Sequence, residues 1–224
     1  MLQNSTLIVC NKKQMMNNKT VYLIGIFGVT FFGVASILGG FQFDDYNPIS
    51  QFISESMAID TPYGKFLRYF GYIPSGILIT IFSFVGFKKL PKSKLIKTGF
   101  IGLGIFYGIT TIIVGLFPCD SGCGSELVMP SISQIIHNLT GMLTYLFVPI
   151  SLLIIGKGLQ KLKGHKKVSQ IISICGSISI VFVGVLFTNS TSHFIGLYQR
   201  IIEITFIISI IVISISIRNQ KKIA

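Results

Sequence analysis

Phe117-Pro-Cys-Asp-Ser-Gly-Cys123 and, beyond residues 124–129, Pro130-Ser-Ile-Ser-Gln-Ile-Ile-His137 form a polar interruption near the middle of an otherwise apolar chain. On its N-terminal side Thr98 to Phe117 is long enough to cross a bilayer core, and so is Ile135 to Ile155 on the other. The interruption therefore reads as a connection between two membrane helices. Working outward, runs of the required length recur at Val21 to Phe43, Phe66 to Phe87, Val168 to Phe187 and Gly196 to Ile217. In hydrocarbon each backbone group must find its partner within its own segment, so runs of this spacing predict helices. The expected fold is all-α: a six-helix transmembrane bundle over residues 21–217, with polar tails at 1–20 and 218–224.

Composition agrees with that reading. Half of the 224 residues are hydrophobic, 12% are charged, and the mean hydropathy is +0.73. One soluble core would struggle to hide so much apolar surface. The net charge of +12 raises nucleic acid as a partner, and the location of the charges argues against it. Sixteen of nineteen cations fall in the N-terminal tail, the second and fourth connections and the C-terminal tail; the rest are Lys65, Arg68 and Arg200. All seven acids fall at the other membrane face. The positive-inside rule then predicts a multi-pass protein of the cell membrane with both termini cytoplasmic, its lysines meeting anionic lipid headgroups. The only apolar run in Met1 to Thr20 is too short for a signal-peptide core, so no cleavage is expected.

The outward loops are polar without being basic. Asn47 to Met57 predicts a short interfacial helix capped by Asn47, with Pro48 at its first position and Ile49, Phe52, Ile53 and Met57 on one face. Cys119 and Cys123 predict a disulfide closing a small loop, because a C-x3-C pair with one nearby Asp matches zinc spacing poorly. No metal or other cofactor is expected. Ser131-x-x-Gln134 reads as a capping box opening the fourth helix, which buries His137 below the headgroups. An intramembrane histidine needs a partner or a polar cavity, which makes His137 a functional candidate. Gln199, Arg200 and Glu203 open the sixth helix, where Arg200 and Glu203, three apart, can pair.

Four short elements taken together resemble an uncharacterised six-helix membrane family of bacteria and archaea, catalogued as domain of unknown function 998. They are Ile53-Ser54-Glu55, with Ser50 upstream, Phe117-Pro-Cys-Asp120, His137-Asn138, and Gly196-x-x-Gln199-Arg200. The resemblance runs from helix 1 to helix 6. Where that family commonly continues Ile-Ser-Glu with Leu-Gly, this chain has Ser56-Met57. The resemblance implies fold and location and carries no activity.

Ser50, Ser54, Glu55, Asp120, His137, Gln199 and Arg200 are thus expected in one plane, the outer leaflet. The leading expectation is an outward pocket for a small polar or lipid-headgroup ligand, with Arg200 pairing an anionic group and His137 and Asp120 orienting it. Two other classes stay open. One is a lipid hydrolase using His137 as base, Asp120 or Glu55 to orient it, and Ser54 or water as nucleophile; no G-x-S-x-G element supports it. The other is a structural or accessory subunit.

Overall fold

A computed structural model describes residues 16–123 and 129–220. Lys12, Lys13, Glu126, Lys221 and Lys222 lie outside them. Among the described residues six helices are long and apolar enough to cross a membrane: α1 (Asn18–Gly40), α2 (Gly64–Lys89), α3 (Lys94–Leu116), α4 (Ile132–Gln160), α5 (Lys166–Thr188) and α6 (Ile195–Arg218). Each packs against its chain neighbours and α6 returns to α1, which closes a ring. The outer surface of the ring is apolar, with Phe27, Val34, Ile37, Phe70, Ile174, Val181 and Ile204 all exposed. A soluble bundle would face polar residues outward, so this surface fits hydrocarbon.

Close packing inside the ring relies on small residues and on hydroxyls bonded across helices. A Cβ on Gly76 would sit 2.7 Å from the Gly108 carbonyl oxygen, so α2 and α3 can approach this closely only as glycines. Gly104 and Gly108 therefore use their spacing within the chain, against Ser83 and Thr80 of α2. Ser75 Oγ donates to the Gly28 carbonyl at 2.8 Å, and Ser169 Oγ to that of Gly156 at 2.8 Å. At the lysine-bearing end the interior is filled by Phe82, Phe100, Leu103, Ile155, Leu159 and Ile213, all fully buried.

Two helices widen into π turns, at Arg68–Tyr72 in α2 and Gly104–Ile109 in α3. Such turns displace the hydrogen-bond ladder and occur frequently at functional sites. In α3 the adjacent threonines take up the displaced carbonyls: Thr110 Oγ1 donates to Phe106 O at 2.7 Å and Thr111 Oγ1 to Tyr107 O at 2.6 Å.

The first loop differs from the expected continuous helix over Asn47 to Met57. Asn47 opens a single turn, with Gln51 N donating to its carbonyl at 2.9 Å; the chain becomes extended at Phe52 (φ −66°, ψ 151°), and a 3-10 turn follows at Ile53–Met57. The reason is competition for backbone groups. A continuing helix would use Pro48 O and Ile49 O as acceptors, but these take Arg200 Nη1 at 2.6 Å and Leu197 N at 2.9 Å. The matching donors are also diverted, Phe52 N to Glu55 Oε1 and Ile53 N to Gln199 Oε1, each at 2.7 Å. Ile53, Ser56 and Met57 are buried, so the turn plugs into the bundle.

Candidate functional site

At the end carrying the first, third and fifth connections the ring encloses a cavity of about 320 Å³. All six helices contribute to its lining, and so does the 3-10 turn. The polar groups that reach it include His137, Tyr145, Gln199 and Glu203, while Phe32, Phe52 and Tyr72 supply aromatic walls. Tyr72 and Tyr107 both issue from the π turns, so the local widening of α2 and α3 carries two tyrosines into the lining.

Glu203 is the acid of this lining and is only 5% exposed. It lies eight residues into α6, about 12 Å along the axis from the helix start at ~1.5 Å per residue. Tyr107 Oη donates to Glu203 Oε2 at 3.0 Å and Tyr145 Oη to Oε1 at 3.2 Å. Gln199 Nε2 donates to Tyr145 Oη at 2.8 Å, and Gln199 Oε1 accepts from the Ile53 amide. A chain of bonds thus runs from the loop backbone through Gln199 and Tyr145 to a buried carboxyl. The three-residue spacing allows Glu203 to pair with Arg200. In the structure the two part company, and each finds partners distant in the chain. One signal could have marked it: Glu203 is a lone acid inside the apolar run Gly196 to Ile217, the feature that singled out His137.

The expected site residues divide into two groups. His137 and Gln199 line the cavity, and Ser54 does so at its loop edge. The His137 ring bonds through Nδ1 to the Phe117 carbonyl at 3.0 Å. A carbonyl only accepts, so Nδ1 carries the hydrogen and Nε2 is the nitrogen left outside that bond. The ring is therefore oriented by backbone, whereas the hydrolase reading asked this of Asp120 or Glu55.

The second group ties the loops together. Arg200 Nη1 donates to the carbonyls of Pro48, Gln51 and Gly196 at 2.6, 2.7 and 3.0 Å, and Nη2 to Tyr46 Oη at 2.5 Å. Burial pushes the Tyr46 phenol above its ordinary value, which keeps the proton that it donates to Phe52 O at 3.0 Å. Gly196 permits the docking, because a Cβ there would lie 2.7 Å from Pro48 O. Glu55 accepts from Phe52 N at 2.7 Å and Gln51 Nε2 at 3.0 Å, and half-buried Ser50 belongs to the turn that Arg200 holds.

Asp120 accepts from Ser131 Oγ at 2.6 Å and Ser131 N at 2.9 Å, which holds its carboxyl below the usual carboxylate range. Ser131 caps α4 as expected, receiving Gln134 N at 3.1 Å. The reciprocal half of the expected capping box comes from Asp120, because Gln134 Oε1 accepts from Asp120 N at 2.6 Å instead.

Cys119 and Cys123 are joined in a disulfide with Cα atoms 5.1 Å apart. The tight loop between them uses Gly122 at φ +70°, a conformation natural to glycine. Ile59 N donates to Cys119 O at 3.0 Å, and Ser121 Oγ bonds the Asp60 carboxylate, so the disulfide loop is fastened to the first loop. The two sulfurs and a His137 ring nitrogen lie within 4.8 Å of one another. While bonded to each other the sulfurs have no thiolate to offer a metal.

An all-helical bundle with an apolar exterior, six spans and, at one end, a cavity that buries polar groups is of the multi-pass membrane class. A family model described as a protein of unknown function, DUF998, matches residues 26–216, and the chain belongs to that family. No curated protein and no solved structure matched it.

Proposed function

We propose that this protein is a membrane binder or transporter whose cavity takes a small amphiphile, admitted sideways from the bilayer. The lysine-rich end faces the cytoplasm with both termini, and the cavity opens in the outer half of the cell membrane, in line with the positive-inside bias. The observation that carries the reading is the cavity's composition: a few buried polar groups of α4 and α6 within a lining that is otherwise largely apolar.

Its mouth lies between α4 and α5. The lining includes Asn138, Met142 and Phe187, all exposed, together with half-buried Gly141. A Cβ at Gly141 would meet no atom within 4 Å. Open space at this point lets an acyl or alkyl chain remain among lipids while a polar head enters. A purely structural subunit would have no use for such an opening.

Replacing Gly141 by Leu adds a side chain at the mouth, starting from a Cβ with no neighbour within 4 Å. Native mass spectrometry of the protein extracted with lipid should find bound amphiphile on the wild type and much less on Gly141→Leu. Equal occupancy of the same species on both proteins would end the proposal.

A further inference from the structure

Resting on that reading, we infer that the head admitted to the cavity is a cation of the ammonium class, with Glu203 as its counter-charge and the surrounding tyrosine and phenylalanine rings as its walls. Among the described residues the lining contains one carboxylate and no lysine or arginine. Of the three cations at this end, Lys65 is exposed, and Arg200 and Arg68 are turned to loop carbonyls. Arg68 Nη1 donates to Met57 O at 2.6 Å and Ala58 O at 3.3 Å. Two tyrosine hydroxyls orient the Glu203 carboxyl, but a hydroxyl is neutral and leaves a carboxylate's charge uncompensated.

Charge selects among ligand classes here. An anionic head would be repelled by a Glu203 carboxylate in a medium that screens little, and a neutral head leaves a buried carboxyl to keep its proton. A cation is the class whose binding gains from an ionised Glu203. The walls suit it as well: Phe32, Tyr72 and Tyr107 all line the cavity, with the Phe32 ring centroid 5.4 Å from that of Tyr72 and 5.9 Å from that of Tyr107. Aromatic rings and a carboxyl lining one cavity attract alkylammonium ions, whose charge is diffuse and cheaply desolvated. Tyr107 serves both purposes, since its hydroxyl fixes the carboxylate and its ring belongs to the cluster. The same chemistry is offered by a free organic ammonium ion and by an ammonium-bearing lipid headgroup.

The test compares matched probes on the purified wild-type protein in detergent, with dissociation constants read from ligand-dependent thermal stabilisation. Choline is set against its uncharged isostere 3,3-dimethylbutan-1-ol, and lysophosphatidylcholine against lysophosphatidylglycerol. The expected result is a preference of about tenfold or more for the ammonium member of at least one pair, the size of a desolvated cation–π contact plus a counter-charge. Preference in the choline pair identifies a free solute, and in the lysolipid pair alone a headgroup; either supports the inference. Glu203→Gln should abolish the preference, and Glu203→Asp should retain part of it. Should Glu203→Gln fail to fold, the wild-type comparison of isosteres decides alone. Equal binding of charged and uncharged probes, preference for the glycerol lipid, or an undiminished preference in folded Glu203→Gln would overturn the ammonium assignment while leaving the cavity a binding site. Absence of binding by every probe, with equal lipid occupancy on wild type and Gly141→Leu, would remove the binding site itself.

Discussion

Two polar regions share one end of this bundle and spend their hydrogen bonds in opposite ways. In the loop clamp, Arg200, Glu55 and Asp120 bond largely to backbone: carbonyls of residues 48, 51 and 196, the amide of Phe52, the amide of Ser131. In the cavity, Glu203, Tyr107, Tyr145 and Gln199 bond mainly to one another. Side chains committed to backbone fix a shape, whereas a side-chain network facing a void can exchange a partner for a ligand. The short elements that carry the family resemblance belong mostly to the clamp, with His137 and Gln199 reaching both regions. They describe how the lid is fastened more than what lies beneath it.

The sharpest way to break this comparison is one substitution made in both regions. Gly196→Leu would drive a side chain into the Pro48 and Gln51 carbonyls, which are backbone and cannot swing aside. We expect the first loop to undock and the variant to fail to accumulate, as judged by fluorescence-detected size exclusion. Gly141→Leu meets open space and should accumulate like wild type, its added helix propensity worth up to ~1 kcal/mol. Parity of the two variants would mean that the clamp does not hold the fold.

Arg200→Gln comes next. A glutamine cannot reach three carbonyls and a phenol together, so these exposed and part-buried acceptors lose a charged donor at a cost of about 1.5–3 kcal/mol. Denaturant unfolding in detergent measures this, and a loss below about 0.5 kcal/mol would return Arg200 to the list of ligand-binding candidates. Tyr107→Phe sharpens the other side: it removes one donor from Glu203 while keeping the ring, for about 1 kcal/mol of stability. Ammonium affinity should then fall more than stability does, and a variant with intact affinity would show that Tyr107 acts on the fold alone.

The six helices were legible because length and hydropathy decide them with little help from tertiary structure. Their ends were less so. α1 stops at Gly40 where the apolar run continues to Phe43, because Gln42 turns back to bond Gly39 O and Ser56 O. That choice depends on a loop folded fourteen residues away. The π turns left no trace in the pattern, since they arise where α2 and α3 pack against neighbours, and with them went the placement of Tyr72 and Tyr107. Glu203 was misread for the same physical reason: a local pairing rule saw Arg200 three residues off, while its real partners stand 96 and 58 residues away in the chain. Single residues of unusual type at membrane depth were readable, and their partners were not.

The smallest expected effect concerns the clamp's surface edge. Asp120 is held below the ordinary carboxylate value first by the Ser131 hydroxyl and then by the Ser131 amide. A depressed folded-state value means that the ionised form is favoured by folding, so the contribution is complete above the unfolded value, ~3.9, and disappears as pH falls through the lower folded value. From pH 8 to about 5 this anchor should leave the melting temperature flat. Below about pH 4 the wild type should lose stability as the α4 start comes loose from the third connection, while Asp120→Asn, slightly weaker at neutral pH, should lack that component of the acid response. Identical acid profiles for the two proteins would show that the Asp120 bonds to Ser131 do not contribute to holding the lid. Because the two proteins differ at Asp120 alone, the difference between their acid profiles isolates the clamp.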